Sequence, residues 1–205
     1  MTVAVILVSL VVAYGAGSSK NADTFGRAGR GIRAARYQAL TVGRWRIRVT
    51  VKPSQLGQIT ATVKNLRRAK PTNSHPWIEH DLVLGNTGDQ AITFANTRRS
   101  AFIGKQGHRQ ILVADEGCGY AQDSPKAPVT AGVCNASLPI PLTVNPHASA
   151  KVAISIFEGL PGMNPLVAGT YVFPQPMRFC PGAGGQAKCH WAVLRLVYEV
   201  RASTG

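Results

Sequence analysis

Between Gly43 and Lys52 the chain reads GRWRIRVTVK, in which Trp45, Ile47, Val49 and Val51 alternate with Arg44, Arg46, Arg48, Thr50 and Lys52. A period of two sends successive side chains to opposite faces of an extended chain, so the stretch predicts a strand with one apolar and one basic face. The same alternation or short apolar run recurs in QITATVKNL (Gln58–Leu66), WIEHDLVLGN (Trp77–Asn86), AITFA, RQILVAD (Arg109–Asp115), LPIPLTV, SAKVAISIF, GTYVFP and WAVLRLVYEV (Trp191–Val200). Turn chemistry such as KPSQLGQ and Asn86-Thr87-Gly88-Asp89 separates the runs, and no segment carries the period of an amphipathic helix. About ten short strands joined by turns predict an all-β fold, an antiparallel β-sandwich spanning residues 43–205. The 205 residues, 45% apolar, suffice for one full core with or without a tail.

Charge is distributed unevenly. The chain has 23 Lys/Arg and 9 Asp/Glu, a formal net charge of +14. From Lys20 to Lys70 there are thirteen Lys/Arg and one acid, Asp23, whereas from Pro71 onward there are ten against eight. Such asymmetry points to contact with something anionic. Residues 18–42 read as a basic arm in which Arg27, Arg30, Arg33 and Arg36 recur every third residue. On an extended chain with three residues per turn they would line one side; on an α-helix they would fan out. Gly26, Gly29 and Gly31 weaken a helix by roughly 1 kcal/mol each, which favours an arm ordered by its partner, with a short helix over Ile32–Leu40 as the alternative. In the strand, Arg44, Arg46 and Arg48 would share a face at intervals of roughly 6.6 Å, close to the spacing of extended phosphates. Trp45 would face the core, and a stacking platform would need aromatics on the arginine face. Tyr37 and Phe25 are the nearby candidates. The competing reading is a solvated outer face whose Lys and Arg block edge pairing between molecules.

The apolar run Val3–Ala13, followed by small residues, has the length of a signal-peptide core and falls short of a bilayer span. Residues 1–17 are therefore expected to be a cleaved leader, although no basic residue precedes the run; a retained short anchor or a structural segment are the alternatives. Four cysteines fit an oxidising compartment. Cys118 and Cys134 bracket one polar loop, Cys180 and Cys189 another, and nearest-neighbour disulfides are the simplest of three connectivities. Free thiols and zinc are the alternatives, zinc against the spacing it prefers.

Within HDLVLGNTGDQAITF, PLTVNPHASAKVAISIF and PLVAGTYVF, the positions Asn86, Pro146, Gly169, Thr170 and Tyr171 form a pattern over residues 77–174. That half of the chain resembles bacterial extracytoplasmic immunoglobulin-like domains and is similar to the bacterial intracellular proteinase-inhibitor domain family. The resemblance implies an immunoglobulin-like sandwich used for binding or scaffolding. It transfers no functional residue, and no reactive loop is identifiable.

The chain has no G-x-S-x-G, Walker loop, H-E-x-x-H or dinucleotide fingerprint. GAGG (Gly182–Gly185) sits inside a cysteine loop, not between a strand and a helix, and Asn135-Ala136-Ser137 is a glycosylation sequon. Of the histidines, His75 and His80 stand nearest acids, Glu79 and Asp81. On a strand, however, Glu79 and Asp81 point away from His80, which spoils a compact ligand set. No catalytic or metal-binding residue and no cofactor is assigned.

The expectation is a non-enzymatic exported protein, secreted or in the cell envelope, with an immunoglobulin-like sandwich and a basic N-terminal extension. It would be a subunit of a larger assembly, docking on an acidic protein surface or envelope polymer. The partner-binding residues would be Arg27, Arg30, Arg33, Arg36, Arg44, Arg46, Arg48, Lys52, Arg67 and Arg68. A nucleic-acid-binding protein is the first alternative; a hydrolase or metalloprotein built on His75 and His80 is the second.

Overall fold

The computed structural model describes residues 37–70, 76–96, 99–134, 141–182 and 189–204, all within one unit, Ala34–Gly205. Residues 1–17, expected to be a leader, together with Arg27, Arg30, Arg33, Arg36, His75, the sequon and all but Gly182 of the GAGG run, lie outside the described residues. The strands are β1 (Gln38–Val42), β2 (Trp45–Lys52), β3 (Gln55–Leu56), β4 (Ile59–Arg68), β5 (Ile78–Asn86), β6 (Ile92–Asn96), β7 (Ser100–Ile103), β8 (Ile111–Asp115), β9 (Cys118–Ala121), β10 (Ala131–Cys134), β11 (Leu142–Val144), β12 (Ser149–Glu158), β13 (Gly169–Pro181) and β14 (His190–Ala202). No helix occurs among the described residues. Sheet A runs β1-β2-β14-β13-β6-β11, sheet B runs β3-β4-β5-β12-β8-β7, and β9 and β10 form a separate hairpin.

Alternation explains why both sheets bury one face. Ile47, Val49 and Val51 of β2, Leu194, Leu196, Tyr198 and Val200 of β14, and Tyr171, Phe173 and Met177 of β13 join one apolar cluster. Sheet B supplies Ile59, Ala61 and Val63, Ile78, Leu82 and Leu84, and Ile154 and Ile156 to the same cluster. Each large side chain fully withdrawn from water contributes about 1.5–3 kcal/mol before entropy is counted. A hydrogen bond of 3.1 Å between His80 Nε2 and the Tyr198 hydroxyl crosses this core. Trp45 packs at its margin, as its phase predicts.

Sheet B also buries part of its other face. Leu112 and Ala114 of β8 and Phe157 of β12 pack with Val129 and Leu160. Tyr120 of the β9–β10 hairpin meets Phe157 edge-on, with ring centroids 5.6 Å apart. The disulfide Cys118–Cys134 closes that hairpin, and Cys180–Cys189 closes the β13–β14 connection. Both pairings are the nearest-neighbour ones.

Several local readings need correction. Gln38–Val42, placed in the arm with a helix as the alternative over Ile32–Leu40, pairs as a strand with β2. The Cys118–Cys134 segment is not wholly loop, because its ends are β9 and β10. β13 does not stop near Pro174 but continues to Pro181. Pro174 and Pro176 are tolerated because the ladder of β13 with β6 begins only at Met177, so no donor is required of them in that ladder. At the start of β13 the Tyr171 hydroxyl donates to the Val167 carbonyl at 2.7 Å. Tyr171→Phe is expected to lower stability by about 1 kcal/mol, the net worth of one such bond. An unchanged urea midpoint would contradict that assignment.

Candidate anion-binding face

The alternation that buries Ile47, Val49 and Val51 exposes their neighbours on β2. β14 pairs antiparallel with β2, so its outward residues fall into register: Arg46 faces Arg201, Arg48 faces Glu199, Thr50 faces Val197 and Lys52 faces Arg195. On the next strand Arg178 stands opposite Trp191. The outer face of sheet A thus presents Arg46, Arg48, Lys52, Arg178, Arg195 and Arg201. Among the described residues of β2, β13 and β14 on this face, Glu199 is the lone carboxylate.

That carboxylate is shared loosely. Glu199 Oε2 lies 3.8 Å from Arg48 and 3.6 Å from Arg201. Exposed pairs at such distances contribute about 0–1 kcal/mol. Arg48 also rests over the Tyr37 ring, 3.8 Å from its centroid. Arg46 has no carboxylate within 4.0 Å among the described residues. Two cross-strand pairs, Arg46 with Arg201 and Lys52 with Arg195, oppose like charges, an arrangement that disfavours the sheet. The two like-charge pairs of this row therefore give the fold no stability of their own.

The face is open and carries apolar surface between its charges. Trp191 is 64% exposed, and Val172, Val193 and Tyr37 are also exposed. At the corner of β1, β2 and β14 are two adjoining depressions. One, of about 420 Å³, is lined by Ala39, Leu40, Thr41, Arg46, Arg201, Ala202, Ser203 and Thr204. The other, of about 190 Å³, takes in Tyr37, Arg48 and Glu199 and again Arg46 and Arg201.

The residues expected to bind a partner are divided by the fold. Arg46, Arg48 and Lys52 stand together. Arg44 does not join them: it lies in the β1–β2 turn, where its guanidinium covers the Trp45 ring at 4.9 Å. Arg67 and Arg68 belong to sheet B. There a bulge between Lys64 and Arg67 brings Arg67 over the acids of β5. Its guanidinium lies 2.9 Å from Glu79 and 3.9 Å from Asp81, whose carboxylate also accepts from Asn65 at 2.8 Å and has Lys151 at 3.8 Å. This cation is neutralised within the molecule, so Arg67 leaves the candidate set. Arg178, Arg195, Arg201 and Trp191 were missed. The alternation in WAVLRLVYEV does put Arg195 and Glu199 on one face, but nothing local says that β14 lies beside β2.

The histidine cluster separates as the strand phase implies. His80 is buried, and burial lowers its pKa from 6.5 to about 4, partly offset by the Asp81 backbone and carboxylate. Glu79 and Asp81 lie on the opposite face, where both meet Arg67 and Asp81 is itself buried. Among the described residues, the one group of three ligand-type side chains within reach of a common ion is Asp115, Cys118 and Cys134. The two sulfurs are bonded to each other and so are not available as thiolate ligands. No family model, curated protein or solved structure matches this chain.

Proposed function

We propose that this is a non-enzymatic binding or scaffold protein, exported to the cell surface or beyond and working as a subunit of a larger assembly. Its outer sheet-A face and the basic residues ahead of β1 meet an acidic protein surface or envelope polymer. The observation that carries the reading is the register of β2 with β14, which stacks like charges on an open face with too little carboxylate to balance them. Two disulfides, a feature typical of proteins in oxidising compartments, support export.

An immunoglobulin-like sandwich is part of the proposal. Support comes from strand order: β4-β5-β12-β8 in one sheet and β6-β13-β14 in the other follow the ABED and CFG arrangement. Tyr171, at the start of the strand corresponding to F, bonds the backbone four residues upstream as a tyrosine corner does. Asn86, another residue of the resemblance, ties the end of β5 to β11 by donating to the Val144 carbonyl at 3.2 Å.

The test is retention of the full chain on immobilised polyglutamate at low salt. The triple substitution Arg46→Gln, Lys52→Gln, Arg195→Gln is expected to weaken binding by about 10-fold or more and to flatten its salt dependence. Lys64→Gln, on sheet B, is expected to leave it unchanged. No retention of the wild type, or equal losses in both variants, would remove the reading.

One observation favours nucleic acid as a second reading: Tyr37 and Trp191 share the face of the arginines, as base stacking requires. Quenching of Trp191 fluorescence by oligothymidylate, with tighter binding than polyglutamate at equal salt, would put this reading first.

A further inference from the structure

We propose that the larger depression at the corner of β1, β2 and β14 is a subsite for one tetrahedral oxyanion, a phosphate or sulfate group carried by the acidic partner. The inference rests on the binding reading above and names the chemical group that the face selects. Arg46 and Arg201 are direct cross-strand neighbours and both line the depression. Opposed in register, their like charges repel, and an anion bound between them would offset that repulsion while accepting from both guanidiniums.

Three hydroxyl-bearing residues line the depression with the pair. Thr41 comes from β1, and Ser203 and Thr204 follow β14. Ser203 is anchored through its backbone: its amide donates to the Arg44 carbonyl at 2.8 Å, tying the residues after β14 to the β1–β2 turn. Donor-bearing residues of β1, of β2, and of β14 with the residues after it thus line one depression. A planar carboxylate offers two oxygens in one plane, whereas a phosphate or sulfate offers three or more in different directions, which suits this arrangement.

The neighbouring acid is placed outside. Glu199 lines the smaller depression, beside Arg48, and is absent from the lining of the larger one. Ala39, Leu40 and Ala202 complete the wall, and for Arg201 a bound anion competes with Glu199, whose carboxylate lies 3.6 Å away in an exposed and therefore weak pair. The remaining cations of the face would raise the local concentration of an anionic polymer around the corner.

The experiment is an NMR titration of the full, isotope-labelled chain with inorganic phosphate, sulfate, acetate and chloride at constant ionic strength. Phosphate and sulfate are expected to give saturable shifts at the amides of Thr41, Ser203 and Thr204 and at the Arg46 and Arg201 side chains. Arg201→Gln should weaken that binding about 10-fold, and Arg46→Lys, which keeps the charge but loses the fork, should weaken it several-fold. Lys64→Gln should leave it intact. Shifts no larger than those of acetate or chloride, or shifts untouched by Arg201→Gln, would overturn the subsite.

The polyglutamate column separates this failure from that of the parent reading. Retention without phosphate binding removes the subsite alone; phosphate binding without retention removes the polyanion reading alone. Comparing a phosphodiester polymer with a sulfated polysaccharide on the wild type and Arg201→Gln then identifies the source. The one whose binding depends on Arg201 carries the group, and dependence in neither case counts against the subsite.

Discussion

Acidification from pH 7.5 to pH 4.5 is expected to remove roughly 2.5 kcal/mol of folding stability through His80 alone. The imidazole is buried among apolar side chains, with its Nε2 against the Tyr198 hydroxyl and its Nδ1 without a well-formed partner. Desolvation therefore holds the folded-state pKa at about 4, below the ordinary 6.5. Asp81 raises the pKa and Arg67 lowers it, both as lesser influences. Between these two values the unfolded chain binds a proton that the folded chain refuses. The stabilisation is thus fully present above pH 6.5 and is lost as pH falls toward 4. His80→Gln keeps a polar side chain but cannot titrate, so its urea midpoint should fall much less over the same range. Glu158 works in the opposite sense: burial raises its pKa, with Arg44 acting against the shift, so its protonation modestly favours the folded state as pH falls. Since Glu158 is common to both proteins, their difference isolates His80. Parallel loss of stability in the two would show that the imidazole charges without penalty.

The second large effect concerns the Cys118–Cys134 staple. Replacing both residues by alanine is expected to cost about 3 kcal/mol, the restriction a bridge of 16-residue separation places on the unfolded chain. The cost should be distributed unevenly. The β9–β10 hairpin lies over Leu112, Ala114 and Phe157 and has no ladder to either large sheet. Freed of its staple, it should open before the main core, so hydrogen exchange should rise first at Gly119–Ala121 and Gly132–Cys134. Removing Cys180–Cys189, of separation 9, should leave those amides protected. Uniform exchange across both sheets in the first variant would mean that the hairpin and main core unfold together.

Much of the architecture was legible from alternation. Nine of the fourteen described strands, β2, β4, β5, β6, β8, β11, β12, β13 and β14, coincide with segments of period two or short apolar runs. The missed strands are short, as with β3, or lack the pattern. Gln38–Val42 follows an arginine-rich stretch, Ser100–Ile103 is half-buried throughout, and β9 and β10 are four-residue, glycine-containing segments without alternation, held by a disulfide and by packing on Phe157. The phase of WIEHDLVLGN correctly put His80 on one face and its acidic neighbours Glu79 and Asp81 on the other.

The charged face was legible only in part, because charge on one strand is local information whereas its balance depends on neighbours. Arg46, Arg48 and Lys52 could be read as a row, but Arg44 falls in the turn and Arg67 finds Glu79 across a bulge. Strand phase, the apolar face of each segment and the cysteine loops depend on residues near one another along the chain, so they can be read directly from it. Which strands lie side by side depends on how two sheets close over one core. Only the tertiary structure could bring Arg201 beside Arg46, across more than 150 residues of chain, and give Arg67 to a carboxylate instead.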